Sequence, residues 1–167
     1  PYTTLFRSQL QIQAEYDGLT QIYNRRMILE QLELSIAQSR HGEYALSVVM
    51  FDIDHFKQLN DSQGHQAGDQ LLRDLCAFIR QQLGSEDHFG RYGGDEFLLI
   101  FRDRTLQESH QLMERIHHGV GRALGTGLSI GIAGFQTGDS SQQLIHRADS
   151  ALYQAKRAGR NRIALCA

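Results

Sequence analysis

The residues with the most chemistry in them are carboxylates gathered at two places. Asp52-Ile53-Asp54-His55-Phe56-Lys57 closes a long apolar run, and Arg91-Tyr92-Gly93-Gly94-Asp95-Glu96-Phe97 sets two glycines before two acids. Acids at the end of a buried strand come out at a sheet edge or a cleft, and glycines beside them let a ligand approach the backbone. If the second segment is a hairpin lying beside the first strand, Asp95 comes near Asp52. Two or three carboxylates with a backbone carbonyl form a hard-oxygen site suited to Mg²⁺. Such a metal bridges phosphates and activates a hydroxyl for in-line attack. Plain structural readings stand beside this one. Asp54 ahead of a short helical turn reads as its N-cap, and Gly-Gly-Asp-Glu reads equally as a solvated turn.

Asn60, His65 and Asp69 follow on a loop and the start of a helix. His65 and Asp69 share a face if that helix begins early enough. Asp69 could accept from the N1–H and N2–H₂ of guanine, a donor pair that adenine lacks, so such a site discriminates strongly between the two bases. Helix capping accounts as well for any one of the three. Lys156 and Arg160, near the end of the last helix, either complement the helix dipole or reach the outer phosphates of a nucleotide; spacing alone favours the dipole. Gly119-Val120-Gly121-Arg122-Ala123-Leu124-Gly125 follows a helix instead of a strand, so it reads as a connection and not as a nucleotide-binding loop. His117-His118 lacks metal-ligand spacing and reads as a solvated face.

These groups need elements to position them. Arg25 to Ser39 repeats apolar residues near helical period, ended by His41-Gly42, and Asp17-Gly18-Leu19-Thr20 is a turn-like break before it. Ala45 to Ile53 is a nearly continuous Val- and Ile-rich run, the pattern of a central strand buried on both faces. Gln66 to Leu83 is an amphipathic helix stopped by Gly84. His88 to Tyr92 and Phe97 to Phe101 are short strands around a two-residue Gly93-Gly94 turn. Helix, strand, helix and strand follow at Thr105 to Val120, Leu128 to Phe135, Gln142 to Ala158 and Ile163 to Leu165. The order α-β-α-β-β-α-β-α-β predicts an α/β (α+β) domain with a central mixed or antiparallel sheet flanked by helices.

Composition sets the outer limits. A length of 167 residues fits one domain, and a 41% hydrophobic share supports a real core. The net charge of −2 gives no support to non-specific nucleic-acid or membrane binding, so an anionic ligand needs a local site. Cys76 sits in an apolar helical run, and neither it nor Cys166 belongs to a metal-type spacing, so a reduced, cytoplasmic setting is expected. No apolar run approaches the ~20 residues of a membrane span. Residues 1–8 have no periodicity and are similar to the translation of a sequencing-adapter oligonucleotide, so they are read as a non-native scar. Residues 9–16 read as the end of a linker helix, and the natural protein is expected to continue upstream.

Taken together these segments resemble the GGDEF family. The resemblance runs from Asp17 to Ile163 through Asp17-Gly18-Leu19-Thr20 with Asn24-Arg25-Arg26, Phe51 to Lys57, Asn60 to His65, Gly68-Asp69, Arg91 to Phe97, Ser129-Ile130-Gly131, and Ala148 to Tyr153 through Lys156 to Asn161. Motifs in this order are far more specific than the five-letter signature alone. The resemblance implies a fold related to class III nucleotide cyclases and a diguanylate cyclase activity. Two GTP-loaded domains would meet face to face, and each 3′-hydroxyl would attack the α-phosphate of the other GTP, giving cyclic di-GMP. It implies that Asp52, the carbonyl of Ile53 and Asp95 hold Mg²⁺ (or Mn²⁺), with Glu96 assisting and Asp95 helping to deprotonate the hydroxyl. Asn60 and Asp69 would read guanine, and His65 would line the nucleotide pocket. Lys57, Lys156 and Arg160 would neutralise the phosphates, and Asp17 and Arg25 would tie the leading segment to the domain. A homodimer and an upstream sensor are the implied partners, and a membrane tether could lie only in that upstream part.

The chain departs from the family pattern in three places. The product-inhibition motif R-x-x-D is Gly84-Ser85-Glu86-Asp87, without the arginine. A Leu-Pro pair is missing near Arg102-Asp103-Arg104, and the segment from His117 to Leu128 is short, so a peripheral hairpin is trimmed. Two other readings compete with the active cyclase. One is a catalytically silent GTP-binding module controlling a neighbouring domain; the other is a dimerising module with no nucleotide role. The first would favour a lost hairpin acid and the second a lost Lys57, Asn60 or Asp69, and all of these residues are present.

Overall fold

The computed structural model describes Gln11, residues 14–39 and residues 44–166. The expected scar at 1–8 and the His41-Gly42 stop lie outside the described residues, as does part of the expected linker helix. Gln11, Ala14 and Glu15 are helical.

Ten elements follow: α1 (Arg25–Ser39), β1 (Leu46–Ile53), α2 (Phe56–Gln63), α3 (His65–Arg80), β2 (His88–Arg91), β3 (Glu96–Arg102), α4 (Leu106–Leu124), β4 (Leu128–Gly134), α5 (Ser141–Arg157) and β5 (Arg162–Cys166). The strands form one mixed sheet in the order β2-β3-β1-β4-β5, antiparallel except where β5 joins β4 in parallel. β1 is central and buried at every position, as its nearly continuous apolar run predicts.

Alternate residues of the sheet feed two cores. Val49, Phe51 and Ile53 pack with Leu72, Leu75 and Ile79 of α3 and Leu112, Ile116 and Val120 of α4, and Cys76 lies in this core. Val48 and Met50 pack on the other face with Ile28, Leu32 and Ile36 of α1 and Leu144, Ala148 and Leu152 of α5. The helix starts are written in the sequence. Thr105 caps α4 and Ser140 caps α5, each in a reciprocal box with Glu108 or Gln143.

Two expectations are corrected. The segment after β1 is a separate helix, α2, which puts Asn60 on a helix and not on a loop. Its sequence FKQLNDSQ buries no residue and so carries no apolar stripe to reveal it. Gly64, at φ 87°, breaks the chain between α2 and α3. The β2–β3 turn is also longer than two residues. Arg91 pairs with Phe97, and the N–H groups of Tyr92 and Gly93 both donate to the Glu96 carbonyl, leaving Gly93-Gly94-Asp95 as the loop.

Candidate active site

Asp52, at the end of β1, lies opposite Glu96 on β3 and Ser129 on β4. The antiparallel β1–β3 pairing thus brings the hairpin acids to the first acid cluster, as the topology argument required. Asp52 is only 7% exposed. Burial pushes its carboxyl up to about 6. The hydrogen bond and charge of Lys156 pull the other way, and Asp95 and Asp54 add repulsion. The Lys156 ammonium, from the last turn of α5, forms an ion pair with Asp52 Oδ2. Burial disfavours that ammonium, but Asp52 outweighs burial and raises its pKa, helped by Glu96 and Asp95. The spacing-based preference for a helix-dipole role for Lys156 is therefore overturned; this side chain is the counter-ion of the acid cluster.

α5 can carry Lys156 there because it lies very close to β4. A Cβ on Gly131 would stand 2.2 Å from the Ala148 carbonyl oxygen and 2.2 Å from the Leu152 nitrogen. Only glycine permits that approach.

Asp54 does not cap α2. Its Oδ1 accepts the Ser129 hydroxyl at 2.6 Å and its Oδ2 accepts the Asn161 N–H at 2.8 Å, so it ties β1 to β4 and to the corner before β5. His55, the residue at the cap position, is left-handed at φ 59° and makes no side-chain cap.

α2 and α3 build a second part of the site. Gly68 is buried, and a Cβ there would meet the Asn60 Oδ1 at 1.9 Å, so glycine lets α3 close on the Asn60 side chain. That Oδ1 is buried and has no hydrogen-bond partner among the described residues. A buried acceptor without a donor is costly, and a ligand N–H would satisfy it. Asp69 follows Gly68, half-buried, while His65 opens α3 and Lys57 lies in the first turn of α2, both exposed. Arg160 lies just beyond α5, exposed, on the same helix end as Lys156.

Arg91 had no assigned role in the sequence. Its Nε and Nη2 donate to the Gly94 carbonyl at 2.9 and 2.7 Å, and its Nη1 pairs with Asp17 at 3.2 Å. Burial pushes the Asp17 carboxyl up, but Thr20 and Arg91 outweigh burial and hold it below its ordinary value. Arg25 lies over the Tyr92 ring, 4.4 Å from its centroid. Asp17 and Arg25 therefore do join the leading segment to the hairpin, Asp17 through Arg91. At the position of the missing product-inhibition arginine, a Cβ on Gly84 would lie 3.6 Å from the Arg104 guanidinium, and Arg104 pairs with Asp87 at 3.0 Å.

A cleft of about 960 Å³ runs beside α2 and α3, touching Asp54, Phe56, Leu59, Thr126, Arg160 and Asn161. Asp52, Asp95, Asn60 and Asp69 do not line it. Asp52, Asp95 and Lys156 converge away from that cleft, where charges are concentrated and partly desolvated.

A mixed sheet with helices on both faces, carrying two acid clusters and an ammonium at one edge, defines a class that the comparisons identify. The chain belongs to the GGDEF family: residues 14–162 match the family described as "Diguanylate cyclase, GGDEF domain". It is 36% identical to diguanylate cyclase DgcP of Pseudomonas aeruginosa over 95% of this chain and 25% of that protein. It is likewise 36% identical to diguanylate cyclase DosC of Escherichia coli K12, over 96% of this chain and 37% of that one. The chain thus spans well under half the length of these relatives. Among solved structures, the coiled coil and GGDEF domain of DgcB from Caulobacter crescentus, in complex with c-di-GMP, is 32% identical and superposes with a TM-score of 0.94 over 99% of this chain and 92% of that one.

Proposed function

We propose that this domain condenses two GTP molecules into cyclic di-GMP, with two copies meeting face to face and Mg²⁺ or Mn²⁺ bound. The observation that carries the reading is the buried Asp52 carboxyl, beside Asp95 and paired with the Lys156 ammonium. Such an acid pair favours a hard cation. Asp52, Asp95 and the Ile53 carbonyl would hold it. When bound, the metal neutralises the charge that develops at the reacting phosphates.

The protein's own groups do the rest. Asn60 and Asp69 bind and orient guanine, the unpartnered Asn60 Oδ1 being one acceptor. His65 closes the nucleotide pocket. Lys57, Lys156 and Arg160 bind the triphosphate. Asp95, with Glu96 beside it, takes the proton from the 3′-hydroxyl. That oxygen bonds to the α-phosphorus of the second GTP, and the bond to the leaving pyrophosphate breaks. The same step with the roles exchanged closes the ring. The curated relatives named diguanylate cyclases and the DgcB complex with c-di-GMP support this reading.

The test is incubation with GTP and Mg²⁺ at high protein concentration, with and without an upstream coiled coil fused to bring two copies together. Cyclic di-GMP that is lost in Asp95→Ala supports the cyclase. Tight GTP binding without product in either form would replace it with the silent GTP-binding module.

A further inference from the structure

We propose that His117 is a positioning residue for Arg160, acting through Asn161 to hold the corner that presents the arginine to the triphosphate. The inference rests on the role given to Arg160 above.

The corner between α5 and β5 is unusual backbone. Gly159, Arg160 and Asn161 are successively left-handed, at φ 117°, 63° and 46°. Non-glycine residues persist in that region only where their surroundings hold them. Three elements do so here. The Arg160 N–H donates back to the Ala155 carbonyl at 3.0 Å, closing the end of α5. The Asn161 N–H donates to Asp54 Oδ2 at 2.8 Å. The Asn161 side chain is held from a third direction, its Oδ1 lying 2.8 Å from Nε2 of His117 on α4. Since Oδ1 is an acceptor, the imidazole donates from Nε2. Gly127 fills the remaining side, where a Cβ would meet Asp54 Oδ2 at 2.7 Å and Asn161 Oδ1 at 2.9 Å. The backbone of Asn161 is therefore fixed by Asp54 and its side chain by His117. Arg160 is exposed, and its own placement depends on how well this neighbour is held.

His117 is half-buried and lies inside α4, two turns before its C-terminal end. Its neighbour His118 bonds the Glu114 carbonyl of its own helix and lies edge-on to the His117 ring, 5.6 Å between centroids, without reaching Asn161 in any hydrogen bond among the described residues.

Releasing Asn161 lets Arg160 spread over more conformations, which weakens the ground-state grip on the outer phosphates. The test is calorimetric titration of a non-hydrolysable GTP analogue with Mg²⁺ into five proteins: the full chain, His117→Ala, His117→Gln, Arg160→Ala and the double variant of His117→Ala with Arg160→Ala. The loss of one hydrogen bond predicts a Kd for His117→Ala raised about three- to tenfold. Turnover should show a higher KM with kcat nearly unchanged. His117→Gln, whose amide nitrogen reaches the Nε2 position, should return Kd to within about twofold. In the Arg160→Ala background, His117→Ala should change nothing further, and GMP affinity should be unaffected throughout. An unchanged Kd in His117→Ala, or an equal loss with and without Arg160, overturns the inference and leaves the cyclase reading intact. If the unmodified chain fails to bind the analogue, the nucleotide reading falls as well.

Discussion

Gly68→Ala sets two effects against each other, and their sizes decide the outcome. Gly68 lies inside α3, where alanine in place of glycine gains about 1 kcal/mol of helix propensity. The added Cβ, however, would stand 1.9 Å from Asn60 Oδ1, 2.9 Å from its Cγ and 3.1 Å from Phe56 Cζ. Overpacking of this kind costs about 1–3 kcal/mol. The net expectation is a loss of up to about 2 kcal/mol, since Asn60 can swing away more cheaply than α3 can retreat. That swing removes the Asn60 acceptor from where a guanine would meet it. The loss of a buried hydrogen bond worth about 1.4 kcal/mol weakens GTP binding about tenfold. ATP binding, which in this reading makes no use of the Asn60 acceptor, should change little. Urea denaturation gives the stability and competition between GTP and ATP gives the selectivity. A variant about 1 kcal/mol more stable, with its GTP preference intact, would refute the idea that the glycine exists to admit Asn60.

Other perturbations follow from the same geometry. Gly131→Ala forces a Cβ against the backbone of α5, which cannot rotate aside, so a loss of about 3 kcal/mol or more is expected in thermal denaturation. Asp52 has a folded pKa above its unfolded one, so the metal-free domain should lose stability as pH rises from about 4 to about 6 and stay at the lower level above that. Asp52→Asn should flatten this pH dependence in melting curves taken in EDTA, while abolishing turnover. Stability at pH 8 should rise by up to about 3 kcal/mol, a figure that already includes the loss of the Lys156 ion pair. Asp69→Ala should reduce the preference for GTP over ATP in competition binding, and an unchanged ratio would put guanine recognition elsewhere. Asp95→Ala should melt like the unmodified chain yet make no cyclic di-GMP.

Much of this was legible because burial leaves a pattern. β1 reads as a central strand since both its faces are covered and, apart from Ser47, every residue is apolar until Asp52. α4 and α5 announce their starts through Thr105 with Glu108 and Ser140 with Gln143. α2 left little mark, because Phe56 and Leu59 are its only apolar residues and none of its residues is fully buried. Pairing of Asp95 with Asp52 could be argued from hairpin logic, but the counter-ion could not: Lys156 is more than a hundred residues from Asp52. Nor could a local reading assign Asp54, whose partners Ser129 and Asn161 belong to β4 and to the corner before β5. His117 was read as a solvated face for the same reason. Its neighbours in sequence carry no trace of Asn161, and only the packing of α4 against the β5 side of the sheet brings the two together.

The Arg91 side chain has a mechanical consequence. One guanidinium grips Asp17 in the leading segment and the Gly94 carbonyl in the hairpin loop. A displacement arriving along the chain before Asp17 therefore has a stiff lever to the loop that carries Asp95, with Thr20 preventing Asp17 from giving way. For anyone grafting an input module upstream, the register and rigidity of the junction at Asp17 are then part of the design, because they set what reaches Arg91.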